Sequence, residues 1–171
     1  MFTFIDLFAG IGGFRIGLER LGGRCVFSSE IDKHAAATYE RNFGEKPAGD
    51  ITRIDASDVP DHDVLCGGFP CQPFSVSGKQ LGFEDARGTL FFEVMRLVSE
   101  KRPRAVFLEN VANYARHRNG DTLKRTLSML GGEGYRAKHA ILNASDYGVP
   151  QARKRLYIVG IREDVVSGEF K

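Results

Sequence analysis

The sequence predicts an α/β fold built on a doubly wound, mostly parallel sheet, in a single domain over residues 1–171. Two observations carry this. Short, nearly continuous apolar runs recur at residues 2–8, 24–29, 63–66 and 105–108, as strands buried on both faces of a parallel sheet require. Between them lie segments of helical spacing, and such alternation of strand and helix winds a sheet with helices on both sides.

Each element has its own signal. The run Phe2-Thr3-Phe4-Ile5-Asp6-Leu7-Phe8 stops at glycines, and the next segment puts Phe14, Gly17, Leu18 and Leu21 on one helical face before Gly22-Gly23 ends it. Residues 24–29 read as the second strand, 33–42 as the second helix and 49–51 as a short extended piece. Residues 63–66 and 105–108 are further strands, with helical spacing over 90–101 between them. A helix over 122–130 stops at Gly131-Gly132, and 135–143 and 155–161 are the closing strands. The element-poor stretch 70–88, with three glycines, is too long for a routine connection and reads as a mobile active-site loop.

A chain of this length buries one sizeable core and not two. Its 24 Lys and Arg residues against 22 Asp and Glu give a net charge of +2, so binding to nucleic acid by charge alone is not expected. The cluster Arg116-His117-Arg118 reads as an ordinary solvated face. Three cysteines argue against a disulfide framework and for a reducing, cytoplasmic compartment. No apolar segment reaches the length of a membrane span, and nothing resembles a signal peptide.

The chemistry concentrates at strand ends. Cys71 lies in the Pro-bracketed turn Gly67-Gly68-Phe69-Pro70-Cys71-Gln72-Pro73-Phe74-Ser75, where a stabilised thiolate acts as a nucleophile. Cys25 and Cys66, inside apolar strands, suit small buried thiols better. His62, Cys66 and Cys71 lack a fourth metal ligand at a recognisable spacing, and Pro70-Cys71 lacks the rest of a zinc deaminase signature, so no metal is expected.

The turn over residues 8–14 shares only two glycines with the dinucleotide fingerprint, which disfavours a pyrophosphate cradle. It still lets a ligand approach the backbone, and the following helix offers its positive end to a carboxylate. Glu30 after the second strand suits ribose hydroxyls, and Asp50 suits an adenine amino group. Glu109, expected just after the strand ending at residue 108, reads as a substrate-binding acid or as an N-terminal helix acid. Strand alternation would turn Arg153 and Arg155 to one side, where two guanidiniums suit recognition of oxygen.

Four segments together resemble the DNA cytosine-5 methyltransferase family, closest to bacterial modification enzymes. They are Asp6-Leu7-Phe8-Ala9-Gly10-Ile11-Gly12-Gly13-Phe14, Gly68-Phe69-Pro70-Cys71-Gln72-Pro73-Phe74-Ser75, Glu109-Asn110-Val111 and Gln151-Ala152-Arg153-Lys154-Arg155. The resemblance covers essentially the whole chain. It implies the Rossmann-like sheet of S-adenosylmethionine-dependent methyltransferases and methyl transfer from S-adenosylmethionine to carbon 5 of a cytosine flipped out of double-stranded DNA.

By that resemblance the Cys71 thiolate adds to carbon 6, Glu109 holds the ring nitrogen and exocyclic amine, Arg153 binds the ring oxygen, and Arg155 supports the cluster. Phe8, Gly10, Gly13, Phe14, Glu30, Ile31, Asp50, Ile51, Pro70 and Leu90 match cofactor-pocket positions, Ile31 replacing an aromatic residue of some relatives. Residues 72–88 would close over the base, with Ser75 and Ser77 near the DNA.

The family normally continues beyond the last strand into a target-recognition region and a final cofactor-side segment, both expected to be missing here. A complementary subunit carrying them is therefore an expected partner, and the helix face that normally receives the final segment should be left apolar and open. A split subunit, a truncated product and an excised domain all fit, as does a cofactor-binding module without catalysis of its own or an RNA methyltransferase.

Overall fold

The computed structural model describes residues 1–70 and 90–166. Strands β1 (Phe2–Leu7), β2 (Gly23–Ser29), β3 (Val64–Gly67), β4 (Ala105–Val111), β5 (Tyr135–Asn143) and β6 (Lys154–Arg162) form one sheet in the order β2-β1-β3-β4-β6-β5. Helices α1 (Gly13–Arg20), α2 (Lys33–Phe43), α3 (Leu90–Lys101) and α4 (Asp121–Gly132) connect them. The first four strands are parallel, whereas β6 runs antiparallel to both β4 and β5. The chain steps outward from β1 to β2 and returns on the other side of β1 as β3. This reversal opens a crevice at the carboxyl ends of β1 and β3, the usual seat of ligands in open α/β sheets.

Local chemistry fixes the helix ends near that crevice. Asp32 caps α2 by accepting from the amides of His34 and Ala35 at 2.9 and 2.8 Å, and Gly44 closes it at φ 72°. Gly12, at φ 95°, turns the chain into α1.

Strand alternation then divides the sheet. Val106 and Leu108 of β4 and Leu156 and Ile158 of β6 point into a core closed by Phe91, Val94, Leu97 and Val98 of α3 and Leu123 and Leu130 of α4. Each such side chain contributes about 1.5–3 kcal/mol by leaving water. Phe107, Glu109, Tyr157 and Val159 point the other way, towards α1, whose Phe14 meets Phe107 edge-on at 5.0 Å.

Four expectations are corrected. The first strand ends at Leu7, because Phe8 adopts φ 56° and turns the chain at the rim. Residues 49–51 are not an extended piece: Ile51–Arg53 forms a 3-10 turn, because the Asp50 carboxylate captures the Thr52 amide and hydroxyl at 3.0 and 2.8 Å. The strand expected over 105–108 runs on to Val111, so Glu109 lies within it, opposite Tyr157 of β6. The helix expected over 122–130 runs on through Gly131 and Gly132 and closes at Glu133, whose amide donates to the Met129 and Leu130 carbonyls at 3.2 Å each.

Candidate functional site

The glycine turn after β1 is held by backbone and by one acid. The Ala9 amide donates to the Ser29 carbonyl at 2.9 Å, and the Gly12 amide to Ala9 at 2.9 Å. Glu30 accepts from the Gly10 amide at 2.8 Å through one oxygen and from the Asp32 amide at 2.7 Å through the other, tying the turn to the start of α2. A Cβ on Gly10 or Gly13 would meet nothing within 4 Å, so space lies open above both. No side chain caps the N-terminus of α1.

Beneath the turn the interior is polar. Arg15, 6% exposed, binds Glu19 and Glu45 at 2.7 Å each and the Tyr39 hydroxyl at 3.2 Å, and its guanidinium lies 4.5 Å from the centre of the Phe43 ring. Phe43 in turn backs the turn so closely that a Cβ on Gly12 would fall 2.1 Å from its ring. Asp6, at 0% exposure, has no hydrogen-bond partner on either oxygen among the described residues. Burial pushes its pKa up to about 8, outweighing the pull of Arg15.

On the neighbouring strands Glu109 and Arg155 form an ion pair, Oε1 to Nε at 2.8 Å, both side chains about three-quarters buried. Burial raises the Glu109 pKa; Arg155 and Arg153 oppose that rise without cancelling it. The Glu109 Oε2 faces Gly68, lying 3.5 Å from where a Cβ would stand there. Asn110, 2% exposed, donates to the Phe69 carbonyl at 3.3 Å, and Phe69 packs against Phe91 and Tyr114. The strand-end segment leading to Cys71 is thus anchored from β4.

An open groove of about 1110 Å³ joins these parts. Among the predicted residues it brings together Phe8, Gly13, Phe14, Glu109, Arg153 and Arg155. Gly10 belongs to the same turn, and Glu30 reaches it through that bond to Gly10. The others lie off the groove wall: Ile31 is 71% exposed, Ile51 is 3% exposed within the core, and Pro70 and Leu90 flank the undescribed stretch. Asp50 is held by Thr52, with Arg53 at 3.5 Å, and these contacts keep its pKa low. Cys71, Ser75, Ser77 and most of the loop expected over 70–88 lie outside the described residues.

Sequence reasoning missed Phe107 and Tyr157, whose rings lie 5.8 Å apart and line the groove beside Glu109. Their signal is the strand alternation itself: each stands two residues from, or opposite, Glu109. It also missed the Asn110 anchor. Of the two described cysteines, Cys66 is fully buried and Cys25 partly so, and burial raises the pKa of both thiols. Among the described residues no group of three or more His, Cys, Asp or Glu is placed to hold a metal.

A switch-point crevice with an open glycine turn, beside a buried carboxylate paired to arginine, defines a ligand-binding α/β domain with a polar pocket on its rim. The chain belongs to the C-5 cytosine-specific DNA methylase family, whose model matches residues 2–170. It is 56% identical over 168 residues to the type II methyltransferase M.HhaI of Haemophilus parahaemolyticus, covering 98% of this chain and 51% of that protein. It is 53% identical over 165 residues to M.NgoBI of Neisseria gonorrhoeae, covering 96% and 52%. The chain therefore spans about half the length of these curated relatives.

Among solved structures, S. pombe Dnmt2 methyltransferase superposes with a TM-score of 0.78 at 22% identity, covering 99% of this chain and 53% of that one. The Entamoeba histolytica methyltransferase EhMeth does so with a TM-score of 0.81 at 23% identity, covering 99% and 55%. The fold is that of the S-adenosylmethionine-dependent methyltransferases.

Proposed function

We propose that this chain is the cofactor- and base-binding part of a DNA cytosine-5 methyltransferase. The observation that carries the reading is the Glu109–Arg155 pair, held in the same groove as the glycine turn. S-adenosylmethionine fits that turn: there is open space over Gly10 and Gly13, an uncapped helix end for its carboxylate, and an acid at Glu30 for its ribose. When bound, it supplies an electrophilic methyl group.

The chain's own residues do the rest. Cys71 attacks carbon 6 of cytosine as a thiolate, and the new carbon–sulfur bond makes carbon 5 nucleophilic. Glu109 grips ring nitrogen 3 and the exocyclic amine, and burial shifts its pKa upward, the direction that eases sharing a proton with nitrogen 3. Arg153 holds the ring oxygen, and Arg155 orients Glu109. After methyl transfer, loss of the carbon 5 proton and expulsion of the Cys71 thiolate restore the aromatic ring. Burial raises the pKa of the Cys25 and Cys66 thiols, which disfavours both as the nucleophile.

The apolar wall formed by Phe14, Leu18 and Leu21 is the proposed seat for the remainder of an enzyme of the relatives' length, whether continuous with this chain or supplied separately. Methyl transfer from labelled S-adenosylmethionine to mixed-sequence duplex DNA tests the reading, using the chain alone and with the C-terminal half of a close relative. Transfer is expected in the supplemented sample and is expected to vanish with Cys71→Ser. Transfer surviving that change overturns the covalent route. Cofactor binding without transfer in either sample favours a non-catalytic module, and transfer to transfer RNA in place of duplex favours the RNA reading.

A further inference from the structure

One segment that the reaction does not use is strongly basic. Residues 112–125 hold four basic side chains, Arg116, Arg118, Lys124 and Arg125, against the single acid Asp121, although the whole chain carries only +2. All four basic side chains are exposed. The segment leaves the carboxyl end of β4 as the irregular 3-10 stretch Ala112–Gly120 and enters α4. Its Tyr114 packs edge-on against Phe69 with ring centres 5.6 Å apart, which seats it beside the segment leading to Cys71.

The conformation of the stretch is unusual and braced. Arg118 (φ 49°, ψ 48°) and Asn119 (φ 55°, ψ 32°) are consecutive left-handed residues that are not glycine, a conformation that persists only where the surroundings impose it. They are imposed from below: His117 Nδ1 meets the Thr122 hydroxyl at 2.5 Å and the Tyr114 hydroxyl meets that of Thr126 at 2.6 Å, all four side chains being buried. Arg116 and Arg118 therefore stand outward on a fixed base.

The next strand along brings more charge to the same rim. Val111, the last residue of β4, pairs with Arg155, so the exposed Arg153 and Lys154 emerge there as β6 begins. Basic side chains thus flank the Glu109 pocket on two adjacent strand ends. Resting on the reading of the chain as a methyltransferase acting on duplex DNA, we propose that Arg116 and Arg118, with Lys154, form a phosphate track that holds the DNA backbone beside the Glu109 pocket. Such contacts position a duplex without reading its sequence.

The test measures binding of the full chain to a labelled mixed-sequence duplex by fluorescence anisotropy over a sodium chloride series, with cofactor affinity taken on the same samples by calorimetry. The variant is Arg116→Gln with Arg118→Asn, asparagine being tolerant of the left-handed backbone. Losing two phosphate contacts is expected to lower the slope of log K against log salt by about 1.8 with cofactor affinity unchanged. The control removes equal charge at the opposite edge, Arg20→Gln with Arg24→Gln, and is expected to leave the slope as it was. An unchanged slope in the first variant, an equal fall in the control, or no salt-dependent duplex binding by the unaltered chain overturns the track. Loss of cofactor binding by the unaltered chain would sink the methyltransferase reading as well.

Discussion

Asp6 is a carboxyl group with nowhere to put a charge. Its pKa of about 8 in the folded chain lies far above the ordinary carboxylate value it regains on unfolding, so between about pH 4 and pH 8 the folded state holds a proton that the unfolded state has lost. Stability is therefore expected to fall as pH rises through that window. Asp6→Asn, similar in shape and always neutral, should remove the slope and leave the variant the more stable protein at pH 8; urea denaturation at pH 5, 6.5 and 8 reads this directly. Glu109 is buried too, but beside arginine. Glu109→Gln keeps the shape and loses the charge and the strong bond to Arg155, and methyl transfer by the supplemented protein is expected to fall by about 10²–10³, with cofactor affinity within twofold by calorimetry.

The contact between α1 and α2 decides the form of the glycine turn. With φ at 95° and Phe43 already where a side chain would go, Gly12→Ala is expected to cost about 2–4 kcal/mol and to weaken cofactor binding. Phe43→Leu should recover the packing share of that loss and leave the backbone share, a split that a double-mutant cycle in urea resolves. Elements whose signals are local were legible from sequence. The apolar run of β1 and the helical face of Phe14, Leu18 and Leu21, stopped by Gly22-Gly23, each sit within a few residues. The elements misjudged were settled from afar. Glu-Asn at 109–110 does not look like strand, and becomes strand only because β6, some 50 residues on, pairs with it. Residues 49–51 are the exception: they look extended, and it is a local bond that turns them, Asp50 accepting from Thr52.

At the scale of the molecule, the described residues leave an apolar groove open on the α1 face of the sheet. Leu21 at 75% exposure, Tyr147 at 67% and Val149 at 47% line this groove, whose walls are largely aliphatic and aromatic. A patch of that kind marks an interaction surface. A hydrophobic dye is expected to bind the isolated chain and to be released when the C-terminal half of a relative is added, with a rise in thermal midpoint; dye binding unaffected by the addition would mean that this face is not the seat.

The reversed strand β6 also sets an order of events. Among the described residues it is the last strand in the sequence and yet sits between β4 and β5, so a chain shorter than about 155 residues has Glu109 without Arg155 and a sheet in which β4 and β5 are not joined. The wall around Glu109 is complete only once β6 has been laid against β4, so its geometry depends on a part of the chain made well after the carboxylate itself.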